Sequence, residues 1–199
     1  MTALDLYWIP VGAGHQVVRT SGRIYERLVA WAGRRPRRDL YHSALVAATP
    51  DGRVTIEMAP QPDDRGRSDR GVVAEGAVGS RRLRRMRVFR YEVRRWPDGE
   101  IPDLAYAVAS PIRVTEDPRR IAEVLQLVAL VPTPVWGRDE LRLGEMWNSN
   151  SVVSWVLTNA GLLDAAGALP HNGRAPGWDA GVAAARRTSV ESASLGSAV

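Results

Sequence analysis

The 199-residue sequence has no cysteine, which excludes disulfides, thiolate metal sites, cysteine redox chemistry and a thiol nucleophile. Lysine is absent as well. All 27 basic residues are arginine, a skew that base composition of the coding sequence explains as readily as phosphate binding does. The net charge of +5 is therefore weak evidence for a polyanionic partner, and nucleic acid is not the expected one. No stretch approaches the roughly 18 apolar residues of a membrane span, and the first residues, which include Asp5, lack a basic region followed by an apolar run. These features imply no membrane span and a cytoplasmic protein.

What is present is ordinary for a globular chain: 45% hydrophobic and 25% charged residues, at a length that can bury one core. One domain over 1–187 and a disordered tail over 188–199 are expected. Leu6 to Val11 suits a short strand, and Ile24, Leu28 and Trp31 recur at helical spacing. Gly33 to Arg38 reads as a solvated turn, and Pro60 to Arg70 as an exposed loop. Leu40 to Ala48 and Val54 to Met58, joined by Thr49-Pro50-Asp51-Gly52, read as an antiparallel hairpin, because Pro50 presets φ and Gly52 accepts positive φ. Val72 to Ala74 is a short strand, and Arg87 to Val93 alternates polar with apolar as a half-buried strand does. Asp117-Pro118 caps a helix whose apolar stripe is Ile121, Val124, Leu125 and Val128. Pro132 to Arg138 is extended. Asn148 to Ser151 offers several caps for a helix carrying Val152, Val153, Val156, Leu157 and Ala160, which Gly161 ends. The sum is an α+β fold, an antiparallel sheet packed with helices.

A hydroxyl at a helix start meets unsatisfied backbone N–H groups that could hold an oxyanion, but a serine nucleophile also needs a base and an acceptor that orients the base. Of three histidines, His15 and His171 lie in Gly- or Pro-containing turns and read as surface residues. His42 lies on an interior strand, and Glu57 sits on the paired strand. Ser149 as nucleophile, His42 as general base and Glu57 as orienter form the candidate catalytic set. Each has a plainer reading: Ser149 as a helix cap, His42 as a strand histidine satisfied by backbone, and Glu57 as a solvent-facing carboxylate. Val54, Ile56 and Met58 point one way and Glu57 the other, so the set requires His42 on the face of Glu57. Tyr41, Asn148, Asn150 and Ser151 are the candidate substrate contacts nearest the set. Trp136, Arg138, Trp147 and Trp178, from Gly- and Pro-rich loops, join them, with packing in the core or at its rim the plainer reading of the three tryptophans. Trp155 reads as core. No phosphate loop and no metal-ligand spacing is present, so neither a cofactor nor a metal is expected.

The order of these parts resembles the circularly permuted papain-like proteins, which include lecithin:retinol acyltransferase-like enzymes and related amidases. Tyr41-His42-Ser43-Ala44-Leu45 stands where that class has a histidine on an early strand, and Glu57 where it has a polar orienting residue. Asn148-Ser149-Asn150-Ser151-Val152 stands where it has a nucleophile at a late helix start. The class usually has Asn-Cys there, and the Asn-Ser-Asn-Ser form is closer to uncharacterised bacterial members. The resemblance spans Leu40 to Gly161 and implies a permuted papain-like fold with a hydrolase or acyltransferase acting on an amide, ester or thioester of a small molecule or peptide. The alternative is a non-catalytic ligand- or peptide-binding module on the same scaffold. A third reading is a basic surface at Arg81, Arg82, Arg84 and Arg85 for anionic partners.

Overall fold

The structure is a computed structural model that describes residues 1–11, 39–61, 71–101 and 103–196. The helix expected around Ile24, Leu28 and Trp31, the turn after Gly33, His15 and most of the loop from Pro60 lie outside them. Within the described residues the fold is α+β. Strands β1 (Ala3–Pro10), β2 (Asp39–Thr49), β3 (Gly52–Pro60), β4 (Val72–Ala77), β5 (Arg90–Pro97) and β6 (Val108–Thr115) form an antiparallel sheet in the order β4-β5-β3-β2-β1-β6. A two-residue strand, β7 (Gly173–Arg174), adds to the start of β2 in parallel. The helices are α1 (Pro118–Leu127), α2 (Ser149–Asn159) and α3 (Trp178–Gly196).

Local chemistry accounts for most element boundaries. In the β2–β3 hairpin Thr49 pairs with Gly52, Gly52 takes φ +126, and the Thr49 hydroxyl donates to the Gly52 carbonyl at 2.9 Å. Helix α1 opens with Pro118 in its first turn and with the Asp117 carboxylate accepting from the Arg119 N–H at 2.8 Å, which satisfies one of the donors a helix start leaves open.

Alternation divides the sheet into two faces of different character. Leu4, Leu6 and Trp8 of β1, Tyr41, Leu45 and Ala47 of β2, Ile56 and Met58 of β3, and Tyr91 and Val93 of β5 share one buried cluster with Val152, Val153, Trp155, Val156 and Leu157 of α2. Burying each such aliphatic side chain is worth about 1.5–3 kcal/mol, so this helix-covered face carries the main core. The second face holds a smaller cluster of Ile9, Ala44 and Ile101. Beside it sit the buried polar residues Thr55, Glu92 and Arg94.

One expectation fails here. The strand expected over Arg87 to Val93 begins only at Arg90. Arg87–Phe89 forms a tight 3-10 turn: the paired registers end at Ala77 and Pro60, opposite Arg90 and Tyr91, and beyond them the Phe89 carbonyl still accepts across the gap, from the Val78 N–H at 2.8 Å. Of the expected strand's polar positions, Arg87 is exposed and Arg90 half-buried, but Glu92 is buried. Helix α3 runs to Gly196 and so takes in Thr188 and the residues that follow it. Its Ala-rich sequence has high helix propensity, and Ala180, Ala184 and Ala185 are buried. Small residues allow a close approach to α2, where a Cβ on Gly181 would meet the Ser154 hydroxyl at 2.1 Å.

Candidate functional site

Helix α2 begins as its sequence indicates, but the capping residue is Asn148. Its side-chain oxygen accepts from the N–H groups of Asn150 at 2.9 Å and Ser151 at 3.4 Å. The Ser151 hydroxyl accepts in return from the Asn148 N–H at 3.1 Å. This reciprocal box uses serine where glutamate or glutamine is commoner. The remaining polar atoms of the motif reach outward to other elements. The Asn148 amide donates to the Pro176 carbonyl at 2.7 Å, and the Ser151 hydroxyl donates to the Gly177 carbonyl at 2.7 Å.

Asn150 is the centre of this network. Its amide nitrogen donates to the carbonyls of Tyr41 and Pro176, each at 2.9 Å, and its oxygen accepts from the Ser43 hydroxyl at 2.9 Å. One carboxamide thus ties α2 to β2 and to the turn that precedes α3. Glu145 closes the same turn, accepting from the Gly177 N–H at 2.7 Å and from Arg174 at 3.1 Å. Gly177 has φ +85, and a Cβ there would lie 2.6 Å from the Asn148 side-chain oxygen. The turn therefore needs glycine both for conformation and for space. Ser149 stands apart: it is half-buried, and its hydroxyl makes no hydrogen bond among the described residues.

Ser43 fixes which way His42 points. Because Ser43 bonds to α2, its neighbour His42 projects from the opposite face of β2. There it lies across from Ile9 of β1, on the face of β2 that carries Ala44. Burial lowers the pKa of His42, with Asp103 pulling the other way, so its imidazole is held neutral. Glu57 does share the face of His42, as the alternation required, but Glu57 is occupied by a different partner. Arg94, directly opposite on β5, donates to Glu57 at 2.9 Å and to Glu92 at 2.9 Å. Burial raises the pKa of Glu57 while the Arg94 charge opposes the rise. Arg94 also lies 5.8 Å from the centre of the Trp96 ring.

The expected catalytic set is therefore split. His42 and Glu57 lie on one face of the sheet and Ser149 on the other, and no rotamer change carries an imidazole through a hydrogen-bonded sheet. Of the residues expected at a substrate, Tyr41, Asn148, Asn150 and Ser151 do gather at the start of α2, together with Trp147 and Trp178. The side-chain amides of Asn148 and Asn150 and the Ser151 hydroxyl are committed within the fold, whereas the buried Trp147 indole N–H meets no acceptor among the described residues. Trp147 takes its packing reading and not that of a substrate contact: it is 2% exposed, bridged to Trp136 and part of the main core. Trp136 is half-buried and edge-on to Tyr91 at 5.9 Å. Trp178 is half-buried with its ring 4.9 Å from Trp8. Arg138 is exposed.

Sequence reasoning missed Ser43, Arg94 and Glu92. Strand parity would have pointed to Ser43, since it shares its side of β2 with Tyr41 and Leu45. Nothing in the sequence pairs Arg94 with Glu57, because that contact depends on register between strands 37 residues apart. Among the described residues no three His, Asp or Glu side chains converge as metal ligands do, and no helix is long and apolar enough to cross a membrane. Comparison with protein-family models, with curated proteins and with solved structures found no match to this chain.

Proposed function

We propose that the chain is a non-catalytic module, on a permuted papain-like scaffold, that binds a peptide or small ligand beside the start of α2. The observation that carries this reading is the separation of Ser149 from His42 by the sheet. A serine hydroxyl without an aligned base is a poor nucleophile at neutral pH. Asn150, which could have donated to an oxyanion, spends its amide on Tyr41 and Pro176. The order of the His42 strand, the Glu57 strand and the Asn-Ser-Asn-Ser helix supports the scaffold, and the commitment of the motif to architecture supports the loss of chemistry. Binding would fall to side chains around the network that keep free surface: Ser149, Arg138, Trp136 and Trp178. The two tryptophans each have one neighbouring ring and remain partly open, as aromatic contacts in a ligand rim do.

The test is reactivity toward a serine-directed fluorophosphonate probe. Wild-type protein should label no more than Ser149→Ala or His42→Ala, with all three folded by circular dichroism. Labelling of the wild type that Ser149→Ala and His42→Ala each remove would overturn the proposal and restore a hydrolase or acyltransferase. A ligand-observed NMR screen of short peptides supplies the binding arm. Hits should weaken with Trp178→Ala and persist with His42→Ala, and the reverse pattern would reject the surface named here.

A further inference from the structure

The most unusual surface lies away from α2, in the connection from β4 to β5. Residues 76 to 91 contain no Asp or Glu, yet Arg81, Arg82, Arg84, Arg85, Arg87 and Arg90 fall within ten residues. Every residue from 81 to 88 is exposed. The segment nevertheless has a defined shape. It folds as two 3-10 turns, Arg81–Arg85 and Arg87–Phe89, with no buried residue in either. The Ser80 hydroxyl caps the first, accepting from the Arg82 N–H at 3.3 Å. Arg90, at the start of β5, donates to the carbonyls of Arg84 at 2.6 Å and Arg85 at 3.5 Å. Arg81 is tied to Glu140 at 2.6 Å.

Apolar side chains stand among these charges where water should disfavour them. Leu83 is 37% exposed, Met86 48% and Val88 73%. Leu83 and Met86 are three residues apart, a spacing that brings side chains to one side of a turn of this pitch. Guanidinium groups pair with phosphate in a fork geometry, and their stems allow the charge to stay at a polar boundary while neighbouring apolar groups go deeper. A nucleic acid would use the charges but not Leu83, Met86 or Val88, and its bases would find no fully exposed aromatic ring here on which to stack. Phe89, the one ring in the segment, is only partly exposed.

We propose that the Arg81–Phe89 turn docks on the surface of an anionic phospholipid bilayer, with Arg82, Arg84 and Arg85 against headgroup phosphates and Leu83, Met86 and Val88 at the acyl boundary. Attachment is peripheral and reversible, since one short segment buries little apolar area. It is independent of whether the start of α2 binds a ligand.

Flotation of the full chain with vesicles provides the test. The protein should float with vesicles of phosphatidylcholine plus phosphatidylglycerol and not with phosphatidylcholine alone, and raising salt should release it. The variant Leu83→Ser/Met86→Ser/Val88→Ser should bind anionic vesicles at least about tenfold more weakly, and Arg82→Gln/Arg84→Gln/Arg85→Gln should not float measurably. All six positions are exposed, so both variants should keep the wild-type circular dichroism spectrum. Failure of the wild type to float with anionic vesicles would reject the proposal. So would unchanged flotation of the apolar variant, or tighter binding to single-stranded RNA than to the vesicles; either result would mark the turn as a general polyanion surface.

Discussion

Asn150 illustrates how much of this fold rests on single polar side chains. Its carboxamide uses both donors and an acceptor across three segments, in a position 2% exposed. Replacing it with alanine would leave the Tyr41 carbonyl without this donor and the Ser43 hydroxyl without this acceptor, while the Pro176 carbonyl keeps the Asn148 amide, at a cost of about 2–4 kcal/mol. Ser149, one residue earlier, holds no such bond, so Ser149→Ala should change stability by less than about 0.5 kcal/mol. Urea denaturation of both variants checks the contrast. Equal losses would mean that Asn150 is no more structural than Ser149. The motif as a helix start was legible from its residue types, since Asn and Ser are preferred caps. Which of its four polar residues reaches β2 was not, because that depends on how α2 is rotated over the sheet.

At the scale of elements, the joint between α2 and α3 depends on the absence of a side chain. A Cβ at Gly181 would come within 2.2 Å of the Ser151 carbonyl oxygen as well as 2.1 Å of the Ser154 hydroxyl. The backbone oxygen cannot rotate away, so Gly181→Ala must push the helices apart. A loss of about 1–3 kcal/mol is expected, as for other overpacked sites. Gly161, which ends α2 with φ +64, has open space around its Cβ position. Gly161→Ala should therefore show only the backbone strain of a left-handed residue, about 1 kcal/mol. Comparison of denaturant midpoints separates the two, and a Gly181→Ala variant as stable as wild type would remove the tight joint. The hairpin, α1 and α2 were readable because their signals are local: a turn sequence, a capping residue and a periodic stripe. Helix α3 was not legible because Ala180, Ala183, Ala184 and Ala185 contribute little hydrophobic signal, although alanine is the best helix former.

The whole molecule should show the charged face of the sheet in its pH dependence. For Glu57 the folded-state pKa is raised by burial against the pull of Arg94. Its contribution is fully present below the unfolded pKa, about 4.3, and is lost as pH rises through the folded value. Glu57→Gln, which cannot ionise, should gain stability relative to wild type as pH rises across that window. His42 behaves in the opposite sense. Its folded pKa is lowered by burial, so its contribution is present above the unfolded value of about 6.5 and declines as pH falls through the folded one. His42→Gln should flatten that decline. Urea midpoints measured across the acid range test both, and parallel curves for wild type and variants would show that neither group titrates differently on folding.

The amino-acid sequence by itself determined the class of fold, the turn that joins β2 to β3, and the position of a capped helix at Asn148. Each follows from residue types within a few positions of one another. Only the tertiary structure decided that α2 covers the face of Ser43 and not that of His42, and that Arg94 claims Glu57. A strand offers two equivalent faces to whatever follows it in the chain, and local sequence does not choose between them. The choice is made by packing of the complete apolar surface, and it turned an expected catalytic set into two separate networks on opposite sides of one sheet.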